Sequence, residues 1–275
     1  MGVKYLLLLV GIFQPIFSQD DVNILKRDFF YQNKRDSSSS LRIVGGQDAT
    51  PHQFPFEVGL YIDYQLKNAF CGGSLISSNY VLTAAHCLEG AISLDVILGA
   101  QNISDDSESN RQRQVTSAYV IHPDWDSTTY TSDIGLVKLN TPAQINDYVQ
   151  TITLASGSDS YAGQQGTVLG WGKTYDDQTT VTDILQYVSN PIFSNDECKA
   201  QNPSYNGIIT DVHLCLSGVG NKGFCQGDSG GPLVVNDVQV GVVSFSYKSC
   251  QASMPSVFAR VTKFTDWIKE NSDIN

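Results

Sequence analysis

Short apolar runs with a period near two dominate the chain from residue 43 onward. Phe56-Glu57-Val58-Gly59-Leu60-Tyr61-Ile62, Gly135 to Leu139, Thr167 to Trp171 and Val238 to Phe245 are rich in Val, Ile, Tyr and Phe. Gly, Asn, Asp and Ser fill the intervals, the pattern of short strands joined by turns. No strand alternates with a long helical pattern, which argues against a parallel α/β sheet. One segment departs from the rest. Val261, Phe264, Trp267 and Ile268 recur at helical spacing and predict a terminal amphipathic helix from about Val261 to Glu270, its stripe packed on the core.

The first 42 residues follow another pattern. Lys4, the apolar run from Tyr5 to Ile12 and the small Ser18 read as a secretory leader over residues 1–18. The run is too short to span a bilayer. Residues 19–42 are polar and of low complexity, with Lys26-Arg27, Lys34-Arg35 and four serines, Ser37 to Ser40, and bury little surface. They end at Arg42, and Ile43-Val44-Gly45-Gly46 follows at once. A basic residue at the end of such a segment is an easy cut for a protease. Residues 43–275 then remain, enough for a sizeable core or two smaller ones.

Charge and cysteine content narrow the setting. The chain carries 17 basic and 28 acidic residues, a net charge of −11. The leader and residues 19–42 each hold one net positive charge, so the remainder stands at −13. Such a surface favours solubility and disfavours nucleic acid and anionic membranes as partners. Six cysteines in a secreted chain imply three disulfides, with fifteen possible pairings. No pair has Cys-x-x-Cys spacing, so zinc is the weaker explanation, and no metal or cofactor is expected.

The chemistry is concentrated in Gly227-Asp228-Ser229-Gly230-Gly231-Pro232. Glycines admit positive φ and close backbone approach, so this loop presents Ser229 without crowding. A serine hydroxyl beside preorganised amide donors suits acyl transfer. Two further segments supply partners. Val81-Leu82-Thr83-Ala84-Ala85-His86-Cys87 ends an apolar run with a histidine, and Asp133 heads the strand pattern Ile134-Gly135-Leu136-Val137-Lys138-Leu139. His52, His122 and His213 lie in ordinary loop or strand-edge contexts.

These motifs, with Cys71-Gly72-Gly73-Ser74-Leu75 and Gly170-Trp171-Gly172, resemble the chymotrypsin family of trypsin-like serine proteases from Ile43 to the C-terminus. The likeness is greatest to arthropod chymotrypsins and brachyurin-type collagenolytic digestive enzymes. It implies an all-β fold of two six-stranded antiparallel Greek-key barrels with a C-terminal α-helix. The first barrel would cover about 43–150, the second about 151–260 and the helix about 261–270. It also implies the disulfides Cys71–Cys87, Cys198–Cys215 and Cys225–Cys250. Residues 19–42 would be an activation peptide that, lacking cysteine, falls away once a trypsin-like protease cuts after Arg42.

By the same resemblance Ser229 is the nucleophile, His86 its base and Asp133 the residue that orients His86, supported by Ser244. Serine attack with a histidine carrying the proton and an aspartate orienting it is this family's own chemistry. Gly227 and Ser229 would form the oxyanion hole, and Asp228 would receive the new α-ammonium of Ile43. Gly223 falls at the base of the specificity pocket, with Phe224 beside it and Ser246 and Ser256 on the walls. None is acidic, so an uncharged, large hydrophobic substrate residue is expected, with Phe224 shifting preference towards Leu or Met. Ser256 departs from collagenolytic relatives that carry an acid there, which sets collagen cleavage apart as a separate question.

Two surface features complete the reading. Asn102-Ile103-Ser104 is a glycosylation sequon. The acidic run Asp105, Asp106 and Glu108 lies where some relatives bind calcium, but Ala100 and Asn110 replace the expected glutamates, so a solvated loop is expected. The chain thus reads as a secreted, extracellular monomer of the kind found in a gut lumen. Its partners would be protein or peptide substrates, an activating protease and protein inhibitors. A catalytically dead homologue acting as a binding protein is the rival, and the presence of His86, Asp133 and Ser229 weighs against it. A serine esterase of another fold would show Gly-x-Ser-x-Gly around its nucleophile, which Ser229 lacks.

Overall fold

The computed structural model describes residues 45–247, 250 and 252–275. The leader, the activation segment and Ile43 lie outside the described residues. In chain order the first elements are β1 (Gln47–Asp48), β2 (Glu57–Asp63), β3 (Asn68–Leu75), β4 (Tyr80–Thr83), α1 (Ala85–Leu88) and β5 (Ser93–Leu98). There follow β6 (Gln112–Thr116), β7 (Tyr119–Ile121), β8 (Gly135–Lys138), β9 (Thr153–Leu154), β10 (Gln165–Gly170) and β11 (Gln186–Phe193). The last are α2 (Asn195–Gln201), β12 (His213–Leu216), β13 (Pro232–Val235), β14 (Val238–Ser246), β15 (Ser256–Arg260) and α3 (Thr265–Asn271).

The strands form two sheets. One runs β11-β10-β13-β14-β15-β12 and returns to β11, a closed barrel of six strands to which β1 and β9 add at the side. The other runs β6-β5-β2-β3-β4-β8-β7 and is open in its pairing. It corresponds to the first of the two barrels that the resemblance implies. The two end strands, β6 and β7, are consecutive in the chain and are parted at Ser117-Ala118. Thr116 causes the break: its Oγ1 donates to the Lys138 carbonyl at 2.9 Å and accepts from the Ala118 amide at 3.1 Å. A hydroxyl bonding the backbone so locally competes with the ladder.

Alternation follows burial where one face is wet. Along β11 every second residue is buried, in the order Gln186, Val188, Asn190 and Ile192. The polar two are satisfied, Asn190 by the Ser217 carbonyl at 2.5 Å and Gln186 by Asp48 at 2.9 Å. β14 is buried along most of its length on both faces. One apolar cluster runs through both sheets and includes Leu60, Leu82, Leu136, Val168, Leu233 and Phe258. Ser74 of β3 and Gln239 of β14 bridge them with a buried bond of 2.6 Å.

The terminal helix begins later than its periodicity predicts. Val261–Lys263 is a 3₁₀ turn, and Phe264 at φ −121° separates it from α3. The expected stripe still packs: Val261, Phe264 and Ile268 are buried.

Candidate active site

His86 lies in the single turn α1, pinned by the Cys71–Cys87 disulfide to β3. Asp133 lies two residues before β8 and is fully buried. Three donors converge on its carboxylate. His86 supplies its amide to Oδ1 at 2.9 Å and its Nδ1 to Oδ2 at 2.7 Å. Ser244 donates from Oγ to Oδ2 at 2.6 Å. A carboxylate so surrounded is fixed in place and turns the imidazole with its Nδ1 proton toward Asp133, leaving Nε2 as the ring's acceptor nitrogen.

Ser229 is held by its backbone. Its carbonyl accepts from the Gly72 amide at 2.7 Å and lies 3.6 Å from Cys87 Sγ, beside His86. Gly227 and Gly230 take φ of +102° and +81°. A side chain at 230 would also overlap Thr83 Oγ1 and the Gly72 carbonyl. The amides of Asp228, Gly230 and Gly231 donate to Cys225, Val243 and Asp228 carbonyls. Those of Gly227 and Ser229 have no acceptor among the described residues, as donors kept for an oxyanion require.

Asp228 is fully buried. Oδ1 accepts from the Gly172 amide at 2.7 Å and Oδ2 from the Cys225 amide at 2.9 Å. Burial pushes its pKa up to about 7 despite those two bonds. Glu57 of β2 is the second buried acid here. Among the described residues neither of its carboxyl oxygens has a partner, and burial, with the charge of Asp228, holds its pKa well above the ordinary range.

Gly223, Ser246 and Ser256 form one patch. Ser246 and Ser256 pair across β14 and β15, and a Cβ at 223 would fall 2.6 Å from Ser256 Oγ. The Phe224 ring turns into the core, edge-on to Phe258 at 5.5 Å. Cys225–Cys250 ties this region together, and Asp176 accepts the Cys250 amide at 2.9 Å. Cys198–Cys215 joins α2 to β12, so all three disulfides are those the resemblance implies.

The loop after Asn102 is exposed at Ser104, Asp106, Ser107 and Ser109, and a buried arginine organises it from within. Arg111, its side chain 6% exposed, sends Nη1 to the carbonyls of Ile103 at 2.9 Å and Asp105 at 3.2 Å, and Nη2 to Asp106 at 2.9 Å. Glu108 receives the amides of Gln101 and Asn102 at 2.9 and 2.8 Å. The guanidinium thus joins backbone carbonyls and a carboxylate of the same loop. Asn102 itself accepts from the Ser104 amide at 3.0 Å in this loop. His52 packs on Tyr148 and His122 on Trp267. Sequence reasoning passed over Arg111 and Glu57, whose partners and burial leave no local motif.

Comparison with known proteins agrees with this geometry. The Trypsin family model matches residues 43–268. Brachyurin of Leptuca pugilator is 40% identical over 233 residues, covering 84% of this chain and 99% of its own. Chymotrypsin of Phaedon cochleariae is 39% identical over 244 residues, covering 88% of this chain and 86% of its own. A solved structure of HL collagenase superposes with a TM-score of 0.77 at 34% identity, covering 85% of this chain and all of that one. With a family model matched over most of its length, the chain belongs to the trypsin family and is a serine endopeptidase.

Proposed function

We propose that the chain is a secreted zymogen, activated by cleavage after Arg42, with chymotrypsin-like preference for uncharged, large hydrophobic residues before the scissile bond. The observation that carries the specificity is the patch of Gly223, Ser246 and Ser256, which has no carboxylate to pair with Lys or Arg. The neighbouring Phe224 ring packs on Phe258 in the core and adds no charge to the patch. Among the described residues no helix is long and apolar enough to cross a membrane.

In this reading Ser229 Oγ attacks the peptide carbonyl carbon while His86 Nε2 takes its proton. The carbonyl π electrons move to oxygen, which the Gly227 and Ser229 amides receive. His86 then returns the proton to the leaving amine as the C–N bond breaks, and water repeats the sequence to release the acid. Before cleavage Asp228 faces its pocket with amide donors alone. The α-ammonium of Ile43 supplies the missing cation and fixes the loop.

The test is hydrolysis of matched peptides with Phe, Leu, Ala or Arg before the scissile bond by Arg42-cleaved enzyme, with Ser229→Ala as control. Cleavage after Phe or Leu, absent in the control, is expected. Preference for Arg would overturn the pocket argument. The likeness to brachyurin and HL collagenase favours a second reading, broad collagenolytic specificity, and native collagen belongs in the same assay.

A further inference from the structure

The segment that delivers Asp133 is strained. Tyr130 and Ser132 both take φ of +56°, in the left-handed region that non-glycine residues avoid. Such backbone persists only where its surroundings hold it. Within the segment, the Thr131 carbonyl accepts from Asp126 at 3.1 Å and the Ser132 carbonyl from Ile134 at 2.8 Å. The Tyr130 carbonyl instead meets His213 Nε2 at 3.1 Å, a residue of the other sheet.

His213 is built to make that bond. It is 1% exposed. The Thr210 amide donates to its Nδ1 at 3.1 Å, with Thr210 Oγ1 3.2 Å away, so Nδ1 is the acceptor and Nε2 carries the proton. Arg260 donates to its backbone carbonyl at 2.8 Å, and its ring stands edge-on to Phe245 at 5.9 Å. Phe245 in turn packs on Tyr130 at 4.8 Å. The charged groups around it are Asp133, Asp211 and Arg260, and burial keeps the ring neutral by lowering its pKa.

We propose that His213 is a positioning residue for catalysis: through the Tyr130 carbonyl it holds the strained bend that sets Asp133 against His86. This rests on the triad reading above. No proton need leave His213 during turnover. Its role is to keep one donor fixed at one carbonyl, three residues before Asp133.

The experiment compares His213→Phe, which keeps a packed ring without the donor, with His213→Gln, whose amide offers both a donor and an acceptor. Turnover is measured per titrated active site, on a substrate with no residue beyond the one before the scissile bond. We expect His213→Phe to lose about tenfold in kcat with KM within about twofold, as loss of one buried bond predicts, and His213→Gln to recover most of it. Native kcat in His213→Phe, or equal losses in both variants, would overturn the proposal. Should His213→Phe not fold, nitrogen NMR of the unaltered enzyme decides: Nε2–H supports the proposal and Nδ1–H overturns it. Ser229→Ala is assayed separately. Turnover surviving there would refute the nucleophile assignment while leaving the tautomer result to stand.

Discussion

Ser244 and Asp133 meet across the two sheets: the serine Oγ donates at 2.6 Å to the same Oδ2 that receives His86 Nδ1 at 2.7 Å. The aspartate is therefore held by donors from two distant parts of the chain, and the imidazole takes its direction from a carboxylate fixed by three bonds. Replacing Ser244 by Ala frees one of those restraints. The expected result is a fall in kcat of about tenfold, corresponding to one charge-assisted bond of roughly 1.5 kcal/mol, with KM little changed. Active-site-titrated kinetics check it, and an unchanged kcat would show that His86 alone holds Asp133.

Asp228 gives a stability prediction with a definite sign. Its pKa of about 7 in the fold lies above the unfolded value of about 4. The folded chain therefore holds the proton more tightly, and its contribution to stability is full below pH ~4 and lost as pH rises to ~7. An ammonium delivered to the pocket offsets that loss. In the Ser229→Ala background, cleavage after Arg42 should raise Tm by roughly 5–10 °C more at pH 8 than at pH 4. Equal effects at both pH values would exclude Asp228 as the acceptor.

Gly223→Asp places a carboxylate in the patch, but its Cβ falls 2.6 Å from Ser256 Oγ. The single variant should lose activity on Phe peptides by roughly a hundredfold, since a buried charge then faces an apolar side chain. Combining it with Ser256→Gly removes the clash and should let Arg peptides turn over. Parallel kcat/KM measurements on Phe and Arg substrates decide the matter. Undiminished Phe cleavage by the single variant would place the substrate residue elsewhere.

Arg111→Met removes the guanidinium from the buried Ile103 carbonyl and leaves the Asp105 carbonyl to the Glu108 amide at 3.4 Å. A cost of about 3 kcal/mol is expected, seen as a fall in Tm of roughly 6–12 °C. Turnover per active site should not change at low temperature, because Arg111 touches none of the triad. A Tm within a degree of the native protein would mean that solvent satisfies those carbonyls.

Much of the site is legible in the sequence because catalysis needs rare residues in fixed local settings. Ser229 stands among glycines that only its loop geometry explains, and His86 and Asp133 sit at the ends of apolar runs. The disulfide pairing needed the family resemblance, since spacing leaves fifteen options. Other features have no local mark. Thr116 parts β6 from β7 through bonds to the Ala118 amide and to Lys138, 22 residues away. Arg111 binds carbonyls, which every residue has, so no side-chain pattern announces it. His213 reads as an ordinary strand edge, and its bond to Tyr130 spans 83 positions. Where the sequence pattern failed, the deciding partner was a backbone atom brought close only by the fold.

The loop around Arg111 also bears on where such an enzyme works. A cation that arrives from solution is held by an equilibrium, and dilution, chelators or competing phosphate drain it. Arg111 is covalently part of the chain, so its occupancy is one per molecule at every ionic composition. A single arginine thereby supplies from within the chain the positive charge that a dissolved ion would otherwise have to bring.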